Sequence, residues 1–102
     1  MKISVVLALV LFAAPLVAGT PDGGALFKSK CATCHGPDGS GQTAIGKSMR
    51  LRSLGSAEVK KLTDAQLSAI ISDGKNKMPG YKGKLSPDEI RQIVRYIRTF
   101  KK

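Results

Sequence analysis

The stretch KCATCHGPDGSG, Lys30 to Gly41, holds both cysteines of the chain and its one histidine. Cys31, Cys34 and His35 fall within five consecutive residues, and glycines follow at 36, 39 and 41. A chain that places its whole supply of thiol and imidazole in one short run, then continues with residues that tolerate unusual backbone angles, is organised around one site.

The segment before this run has the form of a secretory leader. Lys2 supplies a positive start, Ile3 to Ala14 is apolar apart from Ser4, Pro15 breaks the run, and Val17-Ala18-Gly19 offers small residues for a signal peptidase. The pattern predicts cleavage after Gly19 and a domain over 20–102. The rival reading, a retained anchor, meets a run shorter than the ~20 apolar residues that span a bilayer. No cysteine stands near the cleavage site to carry a lipid. Removing 19 of the 102 residues leaves 83, a size at which domains commonly rely on a metal, a disulfide or a cofactor. Only Lys2 among the charged residues falls in the leader, so the net charge drops from +10 to +9. Such a charge points to an acidic partner or an anionic surface. Export and an aromatic content of 5% argue against nucleic acid.

The bland reading of Cys31 and Cys34 in an exported protein is a disulfide. A redox dithiol of the thioredoxin kind needs strands around it, and no alternating or β-branched run supplies them. Zinc needs more ligands than two cysteines and one histidine. Cys31-Ala32-Thr33-Cys34-His35 is, however, the CxxCH pattern for attaching c-type haem. Two thiols separated by two residues of a helical turn can add across the two vinyl groups of a porphyrin, each forming a thioether. The following histidine then turns its imidazole to the iron from the same face.

Helical spacing surrounds the motif. Gly23, Phe27 and Cys31 recur every four residues and share one helix face. Ser86-Pro87-Asp88-Glu89 combines a cap, a proline suited to the first turn and a capping box. Ile90, Ile93, Val94, Ile97 and Phe100 then form an apolar stripe, flanked by Tyr96, with Arg98, Lys101 and Lys102 closing the helix as its dipole prefers. Thr63-Asp64-Ala65-Gln66 starts a third helix with Leu67, Ile70 and Ile71 turned inward and Asp73-Gly74 ending it. Ser56 to Lys61 reads as a further short helix with Val59 and Leu62 inward. The run from Gly36 to Gly55 is poorly periodic and reads as a loop along one haem edge, its glycines allowing close approach to a flat cofactor.

Three pieces, GGALFKSKCATCHGPDGSG, KNKMPGYKGKLSPDEI and IVRYIRTF, together resemble the small class I monohaem cytochromes c of bacteria, close in plan to the cytochrome c6-like and short soluble ones. The likeness covers nearly all of Asp22 to Lys102. It implies an all-α cytochrome c fold: three to four helices and loops wrapped around one covalent haem c, with the N- and C-terminal helices crossing at Gly23. It also bears on the sixth iron ligand. Met78 lies 43 residues after His35, between a helix end at Gly74 and the stiff Pro79-Gly80 pair, and MPGY resembles the family's axial-methionine loop. Met49, only 14 residues after His35 among Lys47, Arg50 and Arg52, reads as a pocket residue. The expected ligand set is thus Cys31 and Cys34 on the porphyrin with His35 and Met78 on the iron.

A thioether ligand raises a haem potential, and six-coordinate iron leaves no open position for chemistry. The expectation is a periplasmic one-electron carrier, monomeric and not an enzyme, exchanging electrons at an exposed haem edge with a redox donor and acceptor. Lys28, Lys30, Lys75, Lys77, Lys82 and Lys84 would steer that edge to acidic docking faces, and Arg50 or Arg52 would neutralise the propionates. A sensor or enzyme with an open iron site, and a non-haem module holding a disulfide or copper, are the alternatives.

Overall fold

The computed structural model describes residues 22–101; the expected leader over 1–19 and its expected cleavage site lie outside them. Six helices follow in order: α1 (Gly23–Lys30), α2 (Ala32–His35), α3 (Ala44–Ser48), α4 (Ala57–Lys60), α5 (Asp64–Asp73) and α6 (Pro87–Ile97). The architecture is the expected all-α one, with three longer helices and three short ones instead of three to four in all. The uncounted elements are α2, the single turn set off from α1 at Cys31, and α3. Five residues, AIGKS, are too few to show a period, and the helix stands inside the stretch that reads as loop.

Capping decides where the helices start. Ser86 and Thr63 each accept a hydrogen bond from the third residue of the helix they open, and Glu89 and Gln66 reach back to the cap amides, so both capping boxes form. Ser56 caps α4 and Thr43 caps α3 in the same way. Asp22 accepts from the Gly24 amide at 3.1 Å and starts α1.

The core forms where α1 meets α6. Phe27 and Ile93 are completely buried, and Val94 nearly so. Phe27, Tyr96 and Phe100 form an aromatic triangle with centroids 5.2–5.4 Å apart. Gly23 makes the approach possible: a Cβ there would stand 2.0 Å from the Gln92 carbonyl oxygen. α5 packs on the other flank of α6 through Leu67 and Ile71. Ile70, expected inward with them, is only half-buried and faces the cleft described below.

Arg98 does more than complement a helix dipole. Its guanidinium donates to the carbonyl oxygens of Leu62 and Val59 (3.4 Å to the latter) and to Asp64 Oδ1 at 3.0 Å. It therefore binds the end of α6 to the end of α4 and the start of α5.

Candidate metal centre

α1 and α2 are nearly one helix, interrupted at Cys31. The Cys31 amide donates to the Phe27 carbonyl at 2.8 Å, and the His35 amide to the Cys31 carbonyl at 3.0 Å. This keeps Cys31, Cys34 and His35 on the helical turn that the spacing calls for. The two thiols are free, with Cys31 buried and Cys34 half-buried. Burial, with Cys34 close by, pushes the Cys31 thiol up to about 11.

The chain after α2 folds back to hold it. The Gly41 amide donates to the His35 carbonyl at 2.7 Å, and the Thr43 hydroxyl to the Cys34 carbonyl at 2.6 Å while capping α3. Neither contact was legible from spacing; Thr43 three residues before Gly46 was the one available signal. Gly36, Gly39 and Gly41 all take positive φ, as a turn-rich loop requires. Their close approach is to protein, however. A Cβ on Gly39 would meet the Phe100 ring at 2.6 Å and one on Gly41 the Leu51 carbonyl at 2.8 Å. It is the later part of the segment, Ser48 to Arg52, that reaches the cleft.

That cleft has a volume of about 760 Å³, within the roughly 300–1,000 Å³ range of cofactor sites. Cys31, Cys34, His35 and Met78 all line it. Its apolar walls include Met49, Leu51, Val59, Leu62 and Ile70. Its basic lining consists of Lys30, Arg50, Arg52, Lys75 and Lys77, against Glu58 as the one acid. Of the six lysines expected around the site, Lys30, Lys75 and Lys77 are here, whereas Lys28, Lys82 and Lys84 are exposed away from the lining. A second cavity, about 580 Å³ between α5 and α6, has no cysteine, histidine or methionine in its walls.

Met78 is held by a tight turn. Its amide donates to the Lys75 carbonyl at 2.9 Å and its carbonyl accepts from the Lys75 amide at 3.1 Å. Asn76 takes φ +54° inside this turn. Gly74, at φ +81°, ends α5 where a Cβ would lie 2.6 Å from the Met78 carbonyl oxygen, so the turn is pressed onto the end of α5. Tyr81 anchors the chain on the far side. Its amide donates to the Ile71 carbonyl at 2.9 Å and its hydroxyl to the Lys30 carbonyl at 3.0 Å. Spacing gave no sign of the second contact, which joins residues 51 apart.

The donor set suits haem. Among the described residues no group of three or more His, Cys, Asp and Glu side chains could hold a bare metal ion. His35 Nδ1 is the one buried side-chain nitrogen or oxygen there without a hydrogen-bond partner, and such groups mark sites with a role besides packing. Burial lowers the His35 pKa, keeping the imidazole neutral as a metal ligand must be.

An all-helical fold with a CxxCH turn and a methionine on one apolar cleft defines the c-type cytochrome class. Comparison with known proteins agrees. The family described as cytochrome c oxidase, cbb3-type, subunit III matches residues 18–97. Cytochrome c6 of Leptolyngbya boryana is 36% identical over 74% of this chain and 85% of its own length. Cytochrome c6 of Nostoc sp. is 33% identical over 84% and 76%. Among solved structures, the c-type cytochrome KustC0563 superimposes with a TM-score of 0.73 at 36% identity, covering 79% of this chain and 99% of that one. Cytochrome c6 of the diatom Phaeodactylum tricornutum gives 0.55 at 26% identity, covering 76% and 88%. The chain belongs to the small class I monohaem c-type cytochromes, electron-carrier proteins with one covalently bound haem c.

Proposed function

We infer that this protein carries single electrons in the periplasm between redox partners with acidic docking faces, and that it is not an enzyme. Cys31 and Cys34 would hold the haem by thioether bonds, and His35 and Met78 would supply the protein ligands to its iron. When bound there, haem supplies an iron that takes up and gives back one electron. The chain's own residues supply the rest. The helical turn fixes the two thiols and the imidazole relative to one another. The 74–80 segment, pinned to α5, holds the Met78 thioether with little freedom to move between redox states. Leu51, Val59, Leu62 and Ile70 keep water from the cleft, which favours the less charged, reduced state, as thioether ligation also does. Lys30, Lys75 and Lys77 set a positive field at the cleft that steers an acidic partner. Arg50 or Arg52, both on the cleft lining, would neutralise the haem propionates.

The observation that carries this reading is the convergence of Cys31, Cys34, His35 and Met78 on one cleft. Peptide mass analysis of the exported protein tests it. Haem mass on a single peptide containing Cys31 and Cys34, with residue 20 at the mature N-terminus, is expected. Unmodified cysteines would refute it.

A further inference from the structure

The hydroxyl of Tyr81 has no part in the ligand set, yet it makes the one side-chain hydrogen bond in the described chain that ties the methionine segment to the attachment motif. Its acceptor is the carbonyl of Lys30, the last residue of α1 and the neighbour of Cys31. Three residues from Met78, Tyr81 also begins the stretch that the backbone fixes elsewhere: its amide bonds to Ile71, the Lys82 amide to Ser72, and the amides of Lys84 and Leu85 to the Tyr81 carbonyl. On its other side, Met78 is held by its turn with Lys75. Both of those anchors attach the segment to α5 or to itself. Neither attaches it to the α1–α2 unit that carries Cys31, Cys34 and His35. The ring lines the cleft, so the hydroxyl closes one side of it by joining the two units.

We propose that Tyr81 is a positioning residue: its hydroxyl, bonded to the Lys30 carbonyl, latches the Met78 segment to the haem-attachment helix and so limits how often the thioether leaves the iron. This deepens the reading of Met78 as axial ligand and rests on it. The tyrosine does not touch the iron or take part in electron exchange. It sets the population of a state in which the 74–80 segment has swung away and the sixth position is open to a small external ligand.

Tyr81→Phe keeps the ring and removes only the hydroxyl. Losing one neutral hydrogen bond raises the open population by about threefold to tenfold. Imidazole is the probe, because it binds ferric iron only when the methionine has left. The ferric holoprotein is mixed with excess imidazole, and the loss of the weak sulfur–iron band at the red edge of the visible spectrum is followed. Amide hydrogen exchange at Met78 and Lys82 is measured in parallel. The expected result is a band of wild-type intensity in Tyr81→Phe, with imidazole entry and exchange at Met78 both faster by about threefold to tenfold. Equal rates in the two proteins would overturn the latch. Tyr81→Leu, which also removes the ring, separates the hydroxyl from packing: if Tyr81→Phe behaves as wild type and only Tyr81→Leu opens the site, the ring and not the bond is responsible, and the proposal is wrong. A wild type without the sulfur–iron band would remove the Met78 reading and the ligand-holding role with it, while exchange at Met78 would still report whether the segment is tied to Lys30.

Discussion

Replacing Gly23 with alanine should be among the most damaging single-methyl changes in this chain. The added Cβ would stand 2.0 Å from the Gln92 carbonyl oxygen and 2.6 Å from its carbon. Real Cβ atoms essentially never come within 3.0 Å of a neighbour, so α1 and α6 must part by about an ångström. The neighbour is backbone and cannot rotate away, and directly beneath lie Phe27 and Ile93, both fully buried. Overpacking of this kind costs about 1–3 kcal/mol, and a rigid backbone contact belongs at the upper end. Alanine's helix preference returns up to about 1 kcal/mol, leaving a net loss of about 2 kcal/mol. For a domain of this size that lowers Tm by roughly 8–16 °C. Gly24→Ala is the control: its Cβ meets only the edge of the Tyr96 ring, at 2.9 Å, and a ring can tilt. Thermal unfolding of the three holoproteins, followed by far-ultraviolet circular dichroism, decides. If Gly23→Ala melts within 2 °C of the parent, or no lower than Gly24→Ala, the helix-contact argument is wrong.

Two further outcomes follow from the same geometry. Arg98→Ala removes bonds from a charged donor to Leu62, Val59 and Asp64 and should cost about 1.5–3 kcal/mol, whereas Asp64→Ala, whose side chain is 76% exposed, should cost under about 1 kcal/mol by denaturant titration. Electron exchange with an acidic partner protein should slow steeply as salt rises, and the double variant Lys75→Gln with Lys77→Gln should lose most of that dependence in stopped-flow measurements; an unchanged salt slope would remove these lysines from the docking field.

The parts of this fold that were legible in the sequence are those written in local chemistry. Ser86-Pro87-Asp88-Glu89 and Thr63 to Gln66 state their capping boxes outright, and the Ile90-Ile93-Val94-Ile97 stripe states its buried face. Cys31, Cys34 and His35 share one helical turn and one cleft, as the CxxCH spacing calls for. Other features depend on residues distant in sequence meeting in space. The bond between Tyr81 and Lys30, the triple contact of Arg98 and the Thr43 hydroxyl on the Cys34 carbonyl are of this kind. Helix α3 escaped because five residues carry no period. Ile70 sits on the same helix stripe as Leu67 and Ile71, but periodicity cannot say that one edge of that stripe belongs to a cofactor cleft and the other to protein. The glycines at 39 and 41 were read as making room for the haem, and they make room for Phe100 and Leu51 instead.

The central claim is that Met78 completes the iron's coordination and leaves no site open. The visible spectrum of the ferric holoprotein tests it most directly, with Met78→Ala and Met49→Ala beside the wild type. The account predicts the weak sulfur–iron band in wild type and in Met49→Ala, and its loss in Met78→Ala. A wild-type spectrum of high-spin form, without that band and shifting when cyanide or carbon monoxide is added, would contradict it and put an open iron site in its place.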